Sequence, residues 1–396
     1  MRLFVFILIA FYINIFAKDI DINSAKNIAK SWIKNIENRD INIIDNNRYS
    51  FISRREISNE PYYIFNFKGG GWIIVSDNDI NSNVLAYSNN GYLDKNNLPP
   101  QFKWWLSEIS KELKKSKKLL KNKKNISLVK TPALRLTSAQ NKSVGPLLRT
   151  NWGQGRGYNE YTPRDSRSIE GNGHVPTGCV ATAMAQVMNY FAWPPRGIGS
   201  NSYIPASHPE YGRLSVDFGK TSYSWSSLEK ARNIYHAGVA VNMNYGPYNS
   251  SAYLSSANSA LRRNFRYTTS GIVQRQNDDE WIYKLVQSLD RGSPILYQGK
   301  GNIVHVFVCD GYKRVNDGYL FHFNWGWGGR ANGWFRIGGI TPLNNYSFNY
   351  KNYAIFDIYP NDPAYKTGVR RVGASLNFIL YIFLFFALGF LKLKRF

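Results

Sequence analysis

Cys179 is the residue best placed in this chain to act as a nucleophile. It stands in Pro176-Thr177-Gly178-Cys179-Val180-Ala181-Thr182-Ala183-Met184, at the head of a predicted helix that runs to about Phe191. A helix N-terminus directs partial positive charge at a thiol and favours the thiolate, the reactive form. The chain has one other cysteine, Cys309, so no disulfide framework surrounds it. A thiol of ordinary pKa, about 8.5, needs a cationic partner to ionise at neutral pH. His305, in the apolar run Ile303-Val304-His305-Val306-Phe307-Val308, is the candidate base and imidazolium. Asn324 would accept a hydrogen bond from that ring and fix its orientation, with Trp325 keeping water away. Gln154, 25 residues before Cys179, is the candidate oxyanion donor, acting with the Cys179 backbone N–H. Each residue has a plainer reading: a buried inert cysteine, a core histidine on a strand, a solvated glutamine in a loop. His174, His208 and His236 have no comparable setting, and His322, on the strand of Asn324, reads as structural.

The elements that must hold these groups follow from apolar spacing. The segment before them comes first. Ala25, Ile28, Ala29, Trp32, Ile33 and Ile36 recur at helical spacing, which predicts an amphipathic helix over 23–36. Tyr62–Phe67 and Trp72–Ser76, with Gly69-Gly70-Gly71 between, predict a hairpin, and residues 101–124 a second helix, apolar early and lysine-rich late. Then comes the segment of the candidate site. It pairs a helical half, with the cysteine helix and a helix over 226–242, with an antiparallel half of strands at 295–298, 305–310, 319–324, 333–337 and 353–359. Cys309 shares a strand face with His305, about 13 Å away at strand spacing, and reads as packing.

Composition bounds the function. The chain has 396 residues, 43% hydrophobic and 15% aromatic, enough for two folded domains and against disorder. Its net charge of +24 suggests an anionic partner, but the distribution argues otherwise. Residues 111–130 carry nine lysines and one glutamate, and residues 363–396 carry six basic residues and no acid, so 14 of the 24 charges sit in a connector and a tail. No nucleic-acid module accompanies them, so nucleic acid is not expected as a partner. Met1-Arg2 and the apolar stretch 3–17 read as a signal peptide, which places the protein outside the cell, secreted or held at its surface. Residues 121–145 read as an exposed, basic, cleavable linker. Leu376–Leu391 followed by Lys392-Leu393-Lys394-Arg395 reads as a membrane anchor or surface-sorting tail.

These motifs resemble the streptopain family of bacterial cysteine peptidases. The resemblance is carried by Trp152-Gly153-Gln154, Thr177-Gly178-Cys179-Val180-Ala181-Thr182-Ala183, Val241-Asn242-Met243-Asn244-Tyr245-Gly246-Pro247, Tyr297-Gln298-Gly299 and Asn324-Trp325-Gly326-Trp327-Gly328-Gly329. It implies an α+β, papain-like two-lobed fold, with Cys179, His305, Asn324, Trp325 and Gln154 on the family's motif positions. It also implies an inhibitory propeptide in the first domain, self-processing from a zymogen, and a preference for an apolar residue before the scissile one. Three positions depart from the pattern: Val306 replaces a small residue, and Ile303-Val304 replace two glycines. The expected layout is therefore signal peptide 1–17, propeptide 18–120, linker 121–145, catalytic domain 146–362 and tail 363–396. The expected reaction is hydrolysis of peptide or protein substrates through a thiolate–imidazolium pair, with no metal or organic cofactor. The propeptide serves as intramolecular inhibitor. The competing expectations are transpeptidation or an inactive surface module on the same scaffold.

Overall fold

The computed structural model describes residues 19–44, 60–79, 83–94, 96–122, 143–300, 304–316, 318–337 and 352–366. The signal-peptide reading of 1–17, most of the 121–145 linker and nearly all of the 363–396 tail lie outside the described residues. Among the described residues no helix is long and apolar enough to cross a membrane.

The N-terminal unit is built from α1 (Ile22–Glu37), β1 (Tyr62–Asn66), β2 (Trp72–Ser76), β3 (Val84–Ser88) and α2 (Pro100–Asn122). Asp21 caps α1 by accepting from the Asn23 and Ser24 N–H groups at 2.8 and 3.0 Å. Ala25, Ala29 and Ile33, at i, i+4 and i+8, form its buried stripe. The predicted hairpin is present, with Tyr62 opposite Ser76 and Asn66 opposite Trp72.

The second unit runs through β4 (Ser143–Val144), α3 (Cys179–Phe191), β5 (Ser200–Tyr203), β6 (Leu214–Asp217), α4 (Lys230–Ala240), α5 (Leu254–Arg263), β7 (Tyr267–Thr268), β8 (Ile272–Gln274) and α6 (Asp278–Asp290). It continues through β9 (Ile295–Lys300), β10 (Val304–Val315), β11 (Gly318–Asn324), β12 (Gly333–Phe335), β13 (Tyr353–Ile355), β14 (Tyr359–Pro360) and α7 (Pro363–Lys366). Two expected elements are shorter or split. The helix expected over 226–242 starts as a 3-10 turn at Ser227–Glu229 and ends at Ala240, short of Asn242, whose φ of +52 breaks it. The strand expected over 353–359 breaks into β13 and β14 around Asp357, whose φ of +53 interrupts the pleat.

The two units share one sheet. Its order is β1-β2-β3-β12-β11-β10-β9-β13-β8, with β4 paired to β10. The junction is β3 with β12, where Tyr87 faces Trp334 and Ala86 faces Phe335. One face of the sheet carries α3, α4 and α5 in a core that includes Val180, Met184, Val306 and Val308. The other face carries α2 and α6 in a core of Phe102, Trp105, Trp281, Phe307, Cys309, Trp325 and Phe335. Alternation over Val306–Cys309 of β10 makes this division: Val306 and Val308 face the cysteine helix, Phe307 and Cys309 face α2, and a register shift after Cys309 puts Tyr312 on the α2 side as well.

Candidate active site

The backbone of Gly178, at φ +85, turns the chain into α3 so that Cys179 is its first residue. A side chain at 178 would strike the Met243 sulfur at 2.6 Å, so glycine is needed for space as well as for conformation. Cys179 is half-buried at the seam between α3 and β10. Strand β11 pairs with β10 only as far as Asn324 opposite Val308, which leaves the edge of β10 open beyond that point. There the Val306 N–H donates to Cys179 Sγ at 3.5 Å. Burial pushes the thiol pKa up, and the N–H groups of Val306, Val180 and Cys179 oppose that only in part.

His305 is the second residue of β10, next to Val306, but is not paired with the thiol. Among the described residues neither of its ring nitrogens has a hydrogen-bond partner. Burial lowers its pKa to about 4, so the ring is neutral at pH 7. The cause of the separation is geometric. His305 lies opposite Gly299 in the β9–β10 register, and opposed residues share a face. A Cβ at Gly299 would stand 2.6 Å from the ring of Trp104, so the N-terminal unit covers the sheet at that position. His305 thus stands on the α2 side of the strand, while Val306 and the thiol stand on the other.

Asn324 is likewise engaged elsewhere. Its Nδ2 donates to the Thr150 carbonyl at 2.7 Å, and its carboxamide exchanges 3.3 Å contacts with Gln186. Trp325 is fully buried, with Nε1 donating to the Ala331 carbonyl at 2.8 Å and its ring 4.6 Å from that of Phe307. Phe102 of α2 meets the Trp325 ring edge-on at 6.3 Å. Gln154 is half-buried, and its carbonyl accepts from the Thr177 N–H at 3.0 Å, which ties the loop to the turn before Cys179. Of the five candidates, the structure brings Cys179 and the Gln154 loop together at the α3 N-terminus. It holds Asn324 at the end of β11, bonded to Gln186 of α3, with Trp325 directly after it, and leaves His305 unengaged.

Gln186 is a positioning residue the sequence reading missed. Fully buried two turns beyond Cys179 on α3, its Oε1 accepts from Thr150 Oγ1 at 2.9 Å, the Trp152 N–H at 3.1 Å and Asn324 Nδ2 at 3.3 Å. An amide within the apolar run Ala183–Met188, seven residues from the nucleophile, was the available signal. Gln186→Ala is expected to cost about 1–3 kcal/mol for each donor left unpaired. It should lower both the melting temperature and kcat/KM; a variant of unchanged activity would show that Gln186 does not position the site. The other histidines are engaged elsewhere: His322 Nδ1 pairs with buried Asp310 at 2.6 Å, His236 Nδ1 lies 3.1 Å from the Tyr223 hydroxyl, His174 Nδ1 2.7 Å from the Thr162 carbonyl, and His208 Nδ1 2.8 Å from Glu210 Oε1. Cys309 packs in the α2-side core, and burial raises its thiol pKa.

The contacts between the two units are extensive. Trp105 Nε1 donates to the Arg336 carbonyl at 3.1 Å, Arg336 Nε to the Val84 carbonyl at 2.7 Å, and Lys313 to Glu37 Oε1 at 2.5 Å.

A cysteine helix set against a histidine-bearing antiparallel sheet, in a two-lobed α+β body, defines a papain-like cysteine peptidase. Residues 152–335 match the Peptidase C10 family, and residues 17–113 match the Spi protease inhibitor family. The chain belongs to the Peptidase C10 family and carries its inhibitory domain on the same polypeptide, as a cysteine protease zymogen. It is 29% identical over 315 residues to streptopain of Streptococcus pyogenes, covering 72% of this chain and 76% of that one. It is also 29% identical over 308 residues to the thiol protease/hemagglutinin PrtT of Porphyromonas gingivalis, covering 71% of this chain and 34% of that one. Its structure is similar to a fragment of Prevotella intermedia prointerpain A bearing a cysteine-to-alanine mutation. The TM-score is 0.61 at 31% identity, covering 75% of this chain and 95% of that one.

Proposed function

We propose that Cys179 is the nucleophile, His305 its proton carrier, Asn324 the orienting partner of His305, Trp325 the shield of that pair, and Gln154 an oxyanion donor. In the processed enzyme the thiolate attacks the scissile carbonyl carbon. Gln154 and the Cys179 N–H hold the oxyanion, and imidazolium His305 gives its proton to the leaving amine as the C–N bond breaks. Water, deprotonated by the now neutral His305, then attacks the thioester, releasing the acid and restoring the thiolate–imidazolium pair. The observation that carries this reading is the half-buried Cys179 thiol at the start of α3, held by the Val306 N–H one residue from His305.

The domain limits proposed are propeptide 18–120, linker 121–145 and catalytic domain 146–362. Export by residues 1–17 and surface retention by the 363–396 tail complete the reading. The precursor, incubated beside its Cys179→Ala twin and followed by mass spectrometry, tests it. Loss of the first domain through cuts within 111–146 in the wild type alone is the expected result. Equal processing of the twin would refute the role of Cys179.

A further inference from the structure

An acidic side chain beside the Gln154 loop is not used by this mechanism. Glu170 lies on the loop between Thr162 and Thr177, and its carboxylate rests on Gly155, one residue beyond Gln154. A Cβ built at Gly155 would stand 1.7 Å from Glu170 Oε2, so only glycine admits the carboxylate there. The group is half-buried, and among the described residues it has no ion pair; burial raises its pKa and the charge of Arg330 partly offsets that. The nearby cations are directed elsewhere. Arg330 Nη1 donates to Asn97 Oδ1 of the inhibitory unit at 2.8 Å and lies 5.6 Å from the Trp327 ring. Arg156 Nη2 donates to the Gly171 carbonyl at 3.1 Å.

The position matters. The Gly328 N–H donates to the Trp152 carbonyl at 3.1 Å, so the Gln154 loop abuts the turn that follows Trp325. If Gln154 holds the oxyanion and the Asn324–Trp325 side delivers the proton, Glu170 lies along the leaving-group half of a bound peptide. A half-buried carboxylate without a cation is costly, and a substrate that supplies one recovers that cost.

We propose that Glu170 is a specificity-determining residue that takes a lysine or arginine side chain on the leaving-group side of the scissile bond. The inference rests on the catalytic reading above. The chain's own linker, residues 121–145, matches it in charge, with five lysines, one arginine and no acid.

The test uses the processed enzyme and peptides that differ only in carrying Lys, Gln or Glu at the first or second leaving-side position. The expected kcat/KM ratio of Lys to Gln peptide is about tenfold, the scale of one charge-assisted contact. The ratio should fall to near one in Glu170→Gln, invert toward the Glu peptide in Glu170→Lys, and shrink in high salt. Equal rates for all peptides in the wild type, or a lysine preference that survives in Glu170→Gln, would overturn it. So would a preference that emerges only in Arg330→Ala, because Arg330 would then occupy Glu170 once Asn97 has departed. An enzyme that cleaves none of the peptides defeats the catalytic reading itself, whereas cleavage without charge preference defeats only the role of Glu170.

Discussion

His305→Ala in the processed enzyme is expected to lower kcat/KM by about three orders of magnitude, the scale of a lost general acid–base group. With α2 docked, His305 is neutral at pH 7, both ring nitrogens are unpaired, and the thiol pKa is raised by burial. On the proposed mechanism catalysis needs the opposite state of both groups, and the start of β10 is then expected to turn His305 from the face of Trp104 to that of Cys179. Alkylation of Cys179 by a small thiol reagent reads this directly. In the uncleaved precursor the rate should rise with hydroxide, as for an ordinary buried thiol. In the processed enzyme it should be fast and nearly level down to mildly acid pH, and His305→Ala should restore the precursor profile. A processed His305→Ala enzyme that keeps the level profile would exclude the pair.

The same histidine makes the precursor acid-sensitive. A folded-state pKa of about 4 against an ordinary 6.5 means that the folded protein binds fewer protons than the unfolded chain between those values. Stability is therefore complete above about pH 6.5 and is lost as pH falls toward 4. His236, buried beside Tyr223 and also lowered to about 4, acts in the same direction. Denaturant midpoints of the Cys179→Ala precursor should fall over that window, and by less when His305 is also replaced.

Trp105→Ala is the second substitution expected to have a large effect. Trp105 is almost wholly buried between the two units; its ring meets Phe335 edge-on at 4.9 Å and Phe102 at 5.9 Å. Truncating a buried indole costs about 3–5 kcal/mol, and here the Arg336 carbonyl also loses its donor. The loss falls on the docked state, because Phe335 and Arg336 belong to the catalytic unit. In the Cys179→Ala background, which cannot process itself, the melting temperature should drop by several degrees. In the active background conversion should accelerate, because the inhibitory unit is held less tightly. Trp105→Phe should recover part of both effects. Lower stability without faster conversion would mean that Trp105 supports folding but does not govern latency.

Much of this protein was determined locally. The Cys179 helix, its length and its glycine turn followed from small and apolar residues at helical spacing after Thr177-Gly178. The hairpin of β1 and β2 followed from aromatic and β-branched runs around three glycines, because strand alternation and turn chemistry are short-range properties. His322 was readable as structural from its strand, and Asp310 supplies the reason. What the chain order could not convey was distance and face. The sequence placed His305 beside the chemistry, but only the tertiary structure decided that it stands across the strand from Cys179, under the reach of Trp104. Gln186 escaped notice because its partners, Thr150, Trp152 and Asn324, converge on it from two distant segments. The N-terminal segment read as a separate small domain, yet β3 pairs with β12 and makes one sheet of both units. Backbone pairing between strands about 250 residues apart has no local signature. It is selected by the burial of Trp72, Phe102, Trp105 and Phe335 against one another, which no window of sequence contains.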